Sequence, residues 1–200
     1  NTVSSISVNA TAVAATSTIT GTGTKKLNVG TNTINVKCKS GSGSTRTYKL
    51  TVVRKEAAKP TGTLSSTKYT VGDKYITGIT PGTKASNFLA GLSVDGGTAK
   101  LVGANGKQNQ GLAATGNKVE VYVDNKKKTS YEVVIYGDVN GDGEINVLDM
   151  IKVNRHILGL DKLSGVYLVA ADANRKGDGL NVLDMIYINR HALGLSTIKQ

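Results

Sequence analysis

Two kinds of hydrophobic pattern divide the chain. Up to residue 136, apolar side chains recur at alternate positions in short runs. Examples are Val3-Ser4-Ser5-Ile6-Ser7-Val8, Thr31-Asn32-Thr33-Ile34-Asn35-Val36 and Thr47-Tyr48-Lys49-Leu50-Thr51-Val52-Val53. A period of two marks strands with one face buried. Gly21-Thr22-Gly23 and Ser40-Gly41-Ser42-Gly43 supply turns. Further strands are expected at 68–71, 75–79, 99–102, 118–123 and 131–136, with a short helix at 85–92 capped near Thr83 and a hairpin turn at Asn105-Gly106. Beyond residue 145 the period lengthens to that of a helix over 146–160 and again over 181–195, with a short helical connector at 164–171 between them.

The two long helical stretches are copies. At an offset of 35, residues 146–160 and 181–195 are identical at 12 of 15 positions and differ only at Lys152/Tyr187, Val153/Ile188 and Ile157/Ala192. Each copy follows a loop of alternating oxygen-bearing side chains. Counted from Asp138, the first loop places Asp138, Asn140 and Asp142 at positions 1, 3 and 5, Gly143 at 6, Glu144 at 7, Asn146 at 9 and Asp149 at 12. This is calcium-loop spacing. A hard cation takes six to eight oxygens at about 2.3–2.6 Å, so the segment must turn sharply and aim alternate side chains inward. Glu144 would give its backbone carbonyl, Asn146 would act through a water, and Asp149 would close the shell from the first helical turn. Zinc prefers nitrogen and sulfur, which the loop lacks. The plainer alternative is an Asx-rich surface turn, and the second copy weakens it. There Asp172, Asn174, Asn181 and Asp184 take matching places, but the loop is one residue longer. Position 5 is assigned to Asp178, with Lys176 offering only its carbonyl.

A strand rather than a helix is expected before the first loop, and position 12 is aspartate in both loops, so a calmodulin-like sensor is disfavoured. The duplicated loop and helix over 137–196 closely resembles the dockerin module of bacterial cellulosome-type assemblies, departing from it in the lengthened second loop. The resemblance implies an all-α module with two F-hand calcium loops, two Ca2+ ions and, as partner, a cohesin module on a scaffoldin or cell surface. It also implies a docking surface: Val147, Leu148, Asn154 and Arg155 in the first copy, and Val182, Leu183, Asn189 and Arg190 in the second. Because both sets read Val-Leu and Asn-Arg, the partner is expected to dock in two orientations about 180° apart. Core packing beneath the helix is the alternative for the two Val-Leu pairs. Ile145 and Leu180, at position 8, are better candidates for core. His156 and His191 are expected on the surface or in the interface rather than on a metal.

Composition limits what precedes. With 38% hydrophobic residues, one Phe and no Trp in 200 residues, thin β-rich modules fit better than a large enzyme core. The string LNVGTNTINVKCKSGSGSTRTYKLTVVRK resembles the C-terminal part of a bacterial cadherin-like or Ig-like sandwich, although residues 1–56 are short for a sandwich of about 100 residues. Residues 57–136 read as a small α+β module, resembling those that often precede dockerins, and 137–200 as the dockerin. The chain is thus expected to be multidomain. No linker separates Tyr136 from Asp138, so the last two segments are expected to move as one body. The lone Cys38 alternates as a strand residue and is expected to be buried.

Charge is uneven: residues 1–136 carry 18 Lys and Arg against 6 acids, and 137–200 carry 7 against 8. The lysines are dispersed and no aromatic RNA motif or recognition helix accompanies them, which disfavours nucleic acid over a solvated basic surface that could face cell-wall polymers. No signal peptide or membrane-spanning run is evident, and the chain is expected to be part of a longer exported bacterial protein at or beyond the cell surface. Residues 1–136 lack histidine, and their six acids fall at no acid–base spacing, so a non-enzymatic role is expected. The competing reading is a carbohydrate-binding or wall-adhesion fragment with a purely structural calcium domain.

Overall fold

The computed structural model describes residues 3–200, which divide into two compact units at Lys59/Pro60. The first unit holds strands β1 (Ser5–Val8), β2 (Thr18–Thr20), β3 (Gly23–Lys26), β4 (Gly30–Lys39) and β5 (Thr45–Arg54). Its alternating runs form antiparallel pairs: β4 and β5 form a ten-residue hairpin from Gly30↔Arg54 to Lys39↔Thr45, β2 adds to the free side of β4, and β1 pairs with β3. Val8, Leu27, Ile34 and Val36 make a small core, against which Ile6, Ile19 and Val52 pack. Cys38, expected to be buried, is only partly so: it lies next to the Lys39 end of β4, beyond the cluster that covers Ile34 and Val36. Tyr48 and Leu50 on the edge strand β5 remain exposed.

The second unit begins with β6 (Leu64–Ser66), β7 (Thr70–Val71), β8 (Tyr75–Thr77), α1 (Ala85–Ala90), β9 (Leu92–Val94), β10 (Thr98–Val102), β11 (Lys118–Val123) and β12 (Lys126–Val133). Five of these strands form one sheet in the order β10-β11-β12-β8-β7, in which β12 and β8 are parallel and the other neighbours antiparallel; β6 and β9 pair separately. Two expectations are corrected. Helix α1 starts after Lys84 with no side-chain cap, because the Thr83 hydroxyl donates to the Thr80 carbonyl instead. The last strand begins at Lys126, not 131, and ends at Val133. Asp124 and Asn125 both adopt left-handed φ (50° and 60°), so β11 and β12 close into a two-residue hairpin that draws Lys126, Lys127 and Lys128 into the sheet. There Lys127 pairs with Glu120.

The chain continues through Val134 and Ile135, both fully buried, into the first loop, then α2 (Val147–Ile157), α3 (Gly165–Ala171), the second loop and α4 (Val182–Ala192). The expected segments 57–136 and 137–200 share a core: Phe88, Leu101, Val119 and Val133 of the β-module cluster with Val139, Val153, Ile188 and Ile198. Val134 packs with Val166 and Ala170 of α3 and with Tyr75. At the chain end, the Gln200 amide accepts the Tyr136 N–H (2.7 Å) and donates to the Tyr136 carbonyl (2.9 Å), as a strand neighbour would. Among the described residues no helix is long and apolar enough to cross a membrane.

Candidate metal loops and docking face

Helices α2 and α4 start in the same way. Asn146 and Asn181 are the N-caps, each accepting an N–H two residues on (Leu148, Leu183; both 2.8 Å), while Asp149 and Asp184 accept the N–H of the cap residue. This reciprocal capping box satisfies orphan amides of the first turn and fixes the carboxylate at position 12. The N-x-x-D spacing was visible in the sequence, where those residues were considered only as ligands. The helices pack against each other, and Val153 and Ile188 are buried in the common core.

In the first loop, Asp138 is wholly buried. Its Oδ1 accepts N–H groups of Gly141 (2.8 Å) and Asp142 (3.1 Å), and its Oδ2 those of Gly143 (3.1 Å) and Thr115 (2.8 Å). Asp149 Oδ1 accepts from Val139 and Asn140, and Oδ2 from Asn146. Asn140 and Asp142 bond to each other, and Asp142 also accepts the Glu144 N–H; the Glu144 side chain is exposed. Burial pushes the Asp138 carboxyl up to about 6, against the pull of its backbone donors, and the nearby charges of Asp149 and Asp142 push the same way. Burial likewise raises Asp149. This crowding of buried negative charge is relieved by a cation. Gly137, Gly141 and Gly143 all have positive φ, and a Cβ on Gly143 would strike the Ala113 carbonyl at 2.7 Å, so glycine is required there for more than the turn.

The second loop gathers Asp172, Asp178 and Asp184, with one oxygen from each within 4.8 Å of the others. Asp172 Oδ2 accepts the Gly177 N–H, Asn174 Oδ1 that of Lys176, and Asp184 those of Asn174 and Asn181. Asp172 Oδ1 and Asn174 Nδ2 are buried with no hydrogen-bond partner. An orphaned carboxylate oxygen facing two further carboxylates, with no nitrogen or sulfur donor among the three, suits a hard cation. The added residue is accommodated by Arg175, which takes a left-handed φ of 57°.

The candidate docking residues are exposed on both helices. Val147 and Leu148 are 53% and 54% exposed, Val182 and Leu183 51% and 49%, which rules out core packing for all four. Asn154, Arg155, Asn189 and Arg190 are also exposed. Ile151 and Leu158, with their counterparts Ile186 and Leu193, are exposed apolar residues that the sequence reading missed. Ile151 and Ile186 follow Leu148 and Leu183 by three residues and precede Leu158 and Leu193 by seven, a helical spacing that places them on the same stripe. Ile145 is buried and Leu180 partly so against the common core. The half-exposed histidines also have a structural part. His156 Nδ1 accepts the Leu163 N–H (2.8 Å) and His191 Nδ1 the Ile198 N–H (3.1 Å), so each ring latches the segment that leaves its helix. Burial lowers the His191 pKa.

Residues 136–194 match the family model for the dockerin type I domain. No curated protein and no solved structure matches the chain.

Proposed function

We propose that the chain anchors an exported bacterial protein in a cellulosome-like or cell-surface assembly through residues 136–194, which match the dockerin type I domain model, gripping a cohesin in the presence of calcium through either of two equivalent helix faces. The observation that carries the reading is the doubled face: two helices of nearly identical sequence each expose a Val-Leu pair, a second apolar turn and an Asn-Arg pair. An apolar patch with a polar rim has the make-up of an interface hot spot.

Two F-hand loops with one ion each complete the proposal. Asp138, Asn140, Asp142, Asp149 and the Glu144 carbonyl would hold the first, with Asn146 acting through a water; Asp172, Asn174, Asp178 and Asp184 would hold the second. Calcium supplies the positive charge that lets these carboxylates converge. The chain's own residues do the rest. Asn146 and Asn181 start the helices, Asp149 and Asp184 tie each loop to its helix, and the buried Val153 and Ile188 keep the exposed faces side by side. The β-modules serve as spacer and support, the first as part of an Ig-like or cadherin-like sandwich, and no catalysis is assigned to them. Supporting that reading, carboxylates of the second module serve structural bonds: Asp95 accepts from Thr61, and Glu120 bonds Tyr122 and Lys127. The test is capture of the chain by immobilised type I cohesins in calcium and in EGTA. Capture in calcium alone supports the proposal, and failure to bind any such cohesin in calcium refutes it.

A further inference from the structure

The loops are copies in sequence but differ in how their carboxylates are held. Asp138 receives four backbone N–H groups, two on each oxygen. One of the four, Thr115 N–H, lies 23 residues upstream in the β-module. Asp172, its counterpart, receives only Gly177 N–H, and its second oxygen is buried without a partner.

The loop that carries Thr115 is itself rigidly placed. Ala113, Ala114 and Thr115 are buried; the Thr115 hydroxyl donates to the Ile135 carbonyl (3.2 Å) and accepts the Ile135 N–H (3.1 Å). Asn117 Oδ1 accepts from the Ala114 N–H (3.2 Å) and the Asn109 amide (2.6 Å). This scaffold touches the first calcium loop along its length. Gly143 lies against the Ala113 carbonyl and Leu112, its own carbonyl accepts the Gly82 N–H (2.8 Å), and Gly141 fits between the Thr115 carbonyl and Tyr167.

We propose that residues 113–117 are a working part of the first calcium loop: they hold Asp138 in place without the ion, so the first loop keeps its shape when calcium is withdrawn and the second does not. The internal twofold of the docking module is then broken at the metal, with the two halves unequal in their demand for calcium. This rests on the reading of both loops as calcium sites, and the experiment separates the two claims.

Hydrogen exchange of the full chain, resolved by residue, is measured in calcium and in EGTA. The amides of Gly141, Asp142 and Gly143 should keep at least tenfold protection in EGTA, while those of Lys176 and Gly177 lose theirs. Equal loss in both loops, or loss in the first alone, overturns the proposal while leaving the calcium sites intact. No change in either loop overturns the calcium reading and the proposal with it. Asn117→Ala loosens the 113–117 loop without touching a ligand, and should make first-loop exchange in EGTA at least tenfold faster with the second loop unaltered. Thr115→Val, which keeps the backbone donor but frees its loop, serves if Asn117→Ala does not fold. Unchanged first-loop protection in a folded variant overturns the proposal.

Discussion

Replacing Thr115 by valine probes the seam between β-module and helices with almost no change in shape. Thr115 is 1% exposed, and its hydroxyl bridges the N–H and C=O of Ile135, itself fully buried. Valine fills the same volume, so no cavity term enters. The Ile135 carbonyl keeps a second donor, the Asp138 N–H at 3.0 Å, and its loss is small. The Ile135 N–H loses its hydroxyl acceptor inside the core. A buried donor left unsatisfied costs about 1–3 kcal/mol, and adding a weakened carbonyl places the total near 2 kcal/mol. For a unit of this size that lowers Tm by roughly 4–8 °C. Calorimetry of the full chain in calcium, with helical ellipticity followed in parallel, reads the effect. The second unit should melt as one transition, shifted as a whole, because Val133, Ile135, Val153 and Ile188 belong to one core. A shift below 2 °C, or helices that melt apart from the β-module, would refute this reasoning.

Other outcomes follow from the same structure. Without calcium, Asp138 should make the protein more stable in acid: its folded pKa near 6 lies above the ordinary 3.8, so its contribution is full below 3.8 and is lost as pH rises through 6, about 3 kcal/mol in all. Melts in EGTA from pH 4 to 7.5 should therefore show Asp138→Asn gaining on the wild type across that window, and parallel curves would contradict it. His156→Ala and His191→Ala should each cost about 1–2 kcal/mol by removing the acceptor of a backbone N–H, with cohesin affinity within threefold of wild type. A tenfold loss of affinity at unchanged Tm would return the histidines to the interface.

What the sequence disclosed divides by range. The candidate metal loops and their helices were legible because their determinants are local: alternating oxygens, Gly143 at the turn, and a repeat of 12 in 15 residues. Helical periodicity could not choose between burial and exposure for Val147 and Leu148, since either face of α2 carries apolar residues; the burial of Val153 in the common core, which leaves Val147 and Leu148 outside it, decides it. Strand β12 was placed too late because its first residues are lysines, whose sheet position comes from the Asp124–Asn125 turn and pairing with β11 rather than from hydrophobicity. The contact of Thr115 with Asp138 and the histidine latches left no local trace. A backbone donor has no side-chain signature, and a ring nitrogen that accepts an N–H seven residues on looks in sequence like any surface histidine.

The central claim, that two equivalent faces each suffice to hold the partner, is tested most directly by titration calorimetry against a type I cohesin that binds the wild type. Charged replacements at Val147 and Leu148, at Val182 and Leu183, and at all four are compared, and since these side chains are about half exposed, folding should be unaffected. Each double variant should keep affinity within tenfold of wild type, and the quadruple variant should lose at least a thousandfold. If one double variant alone abolishes binding, the faces are not equivalent and the dual orientation is wrong.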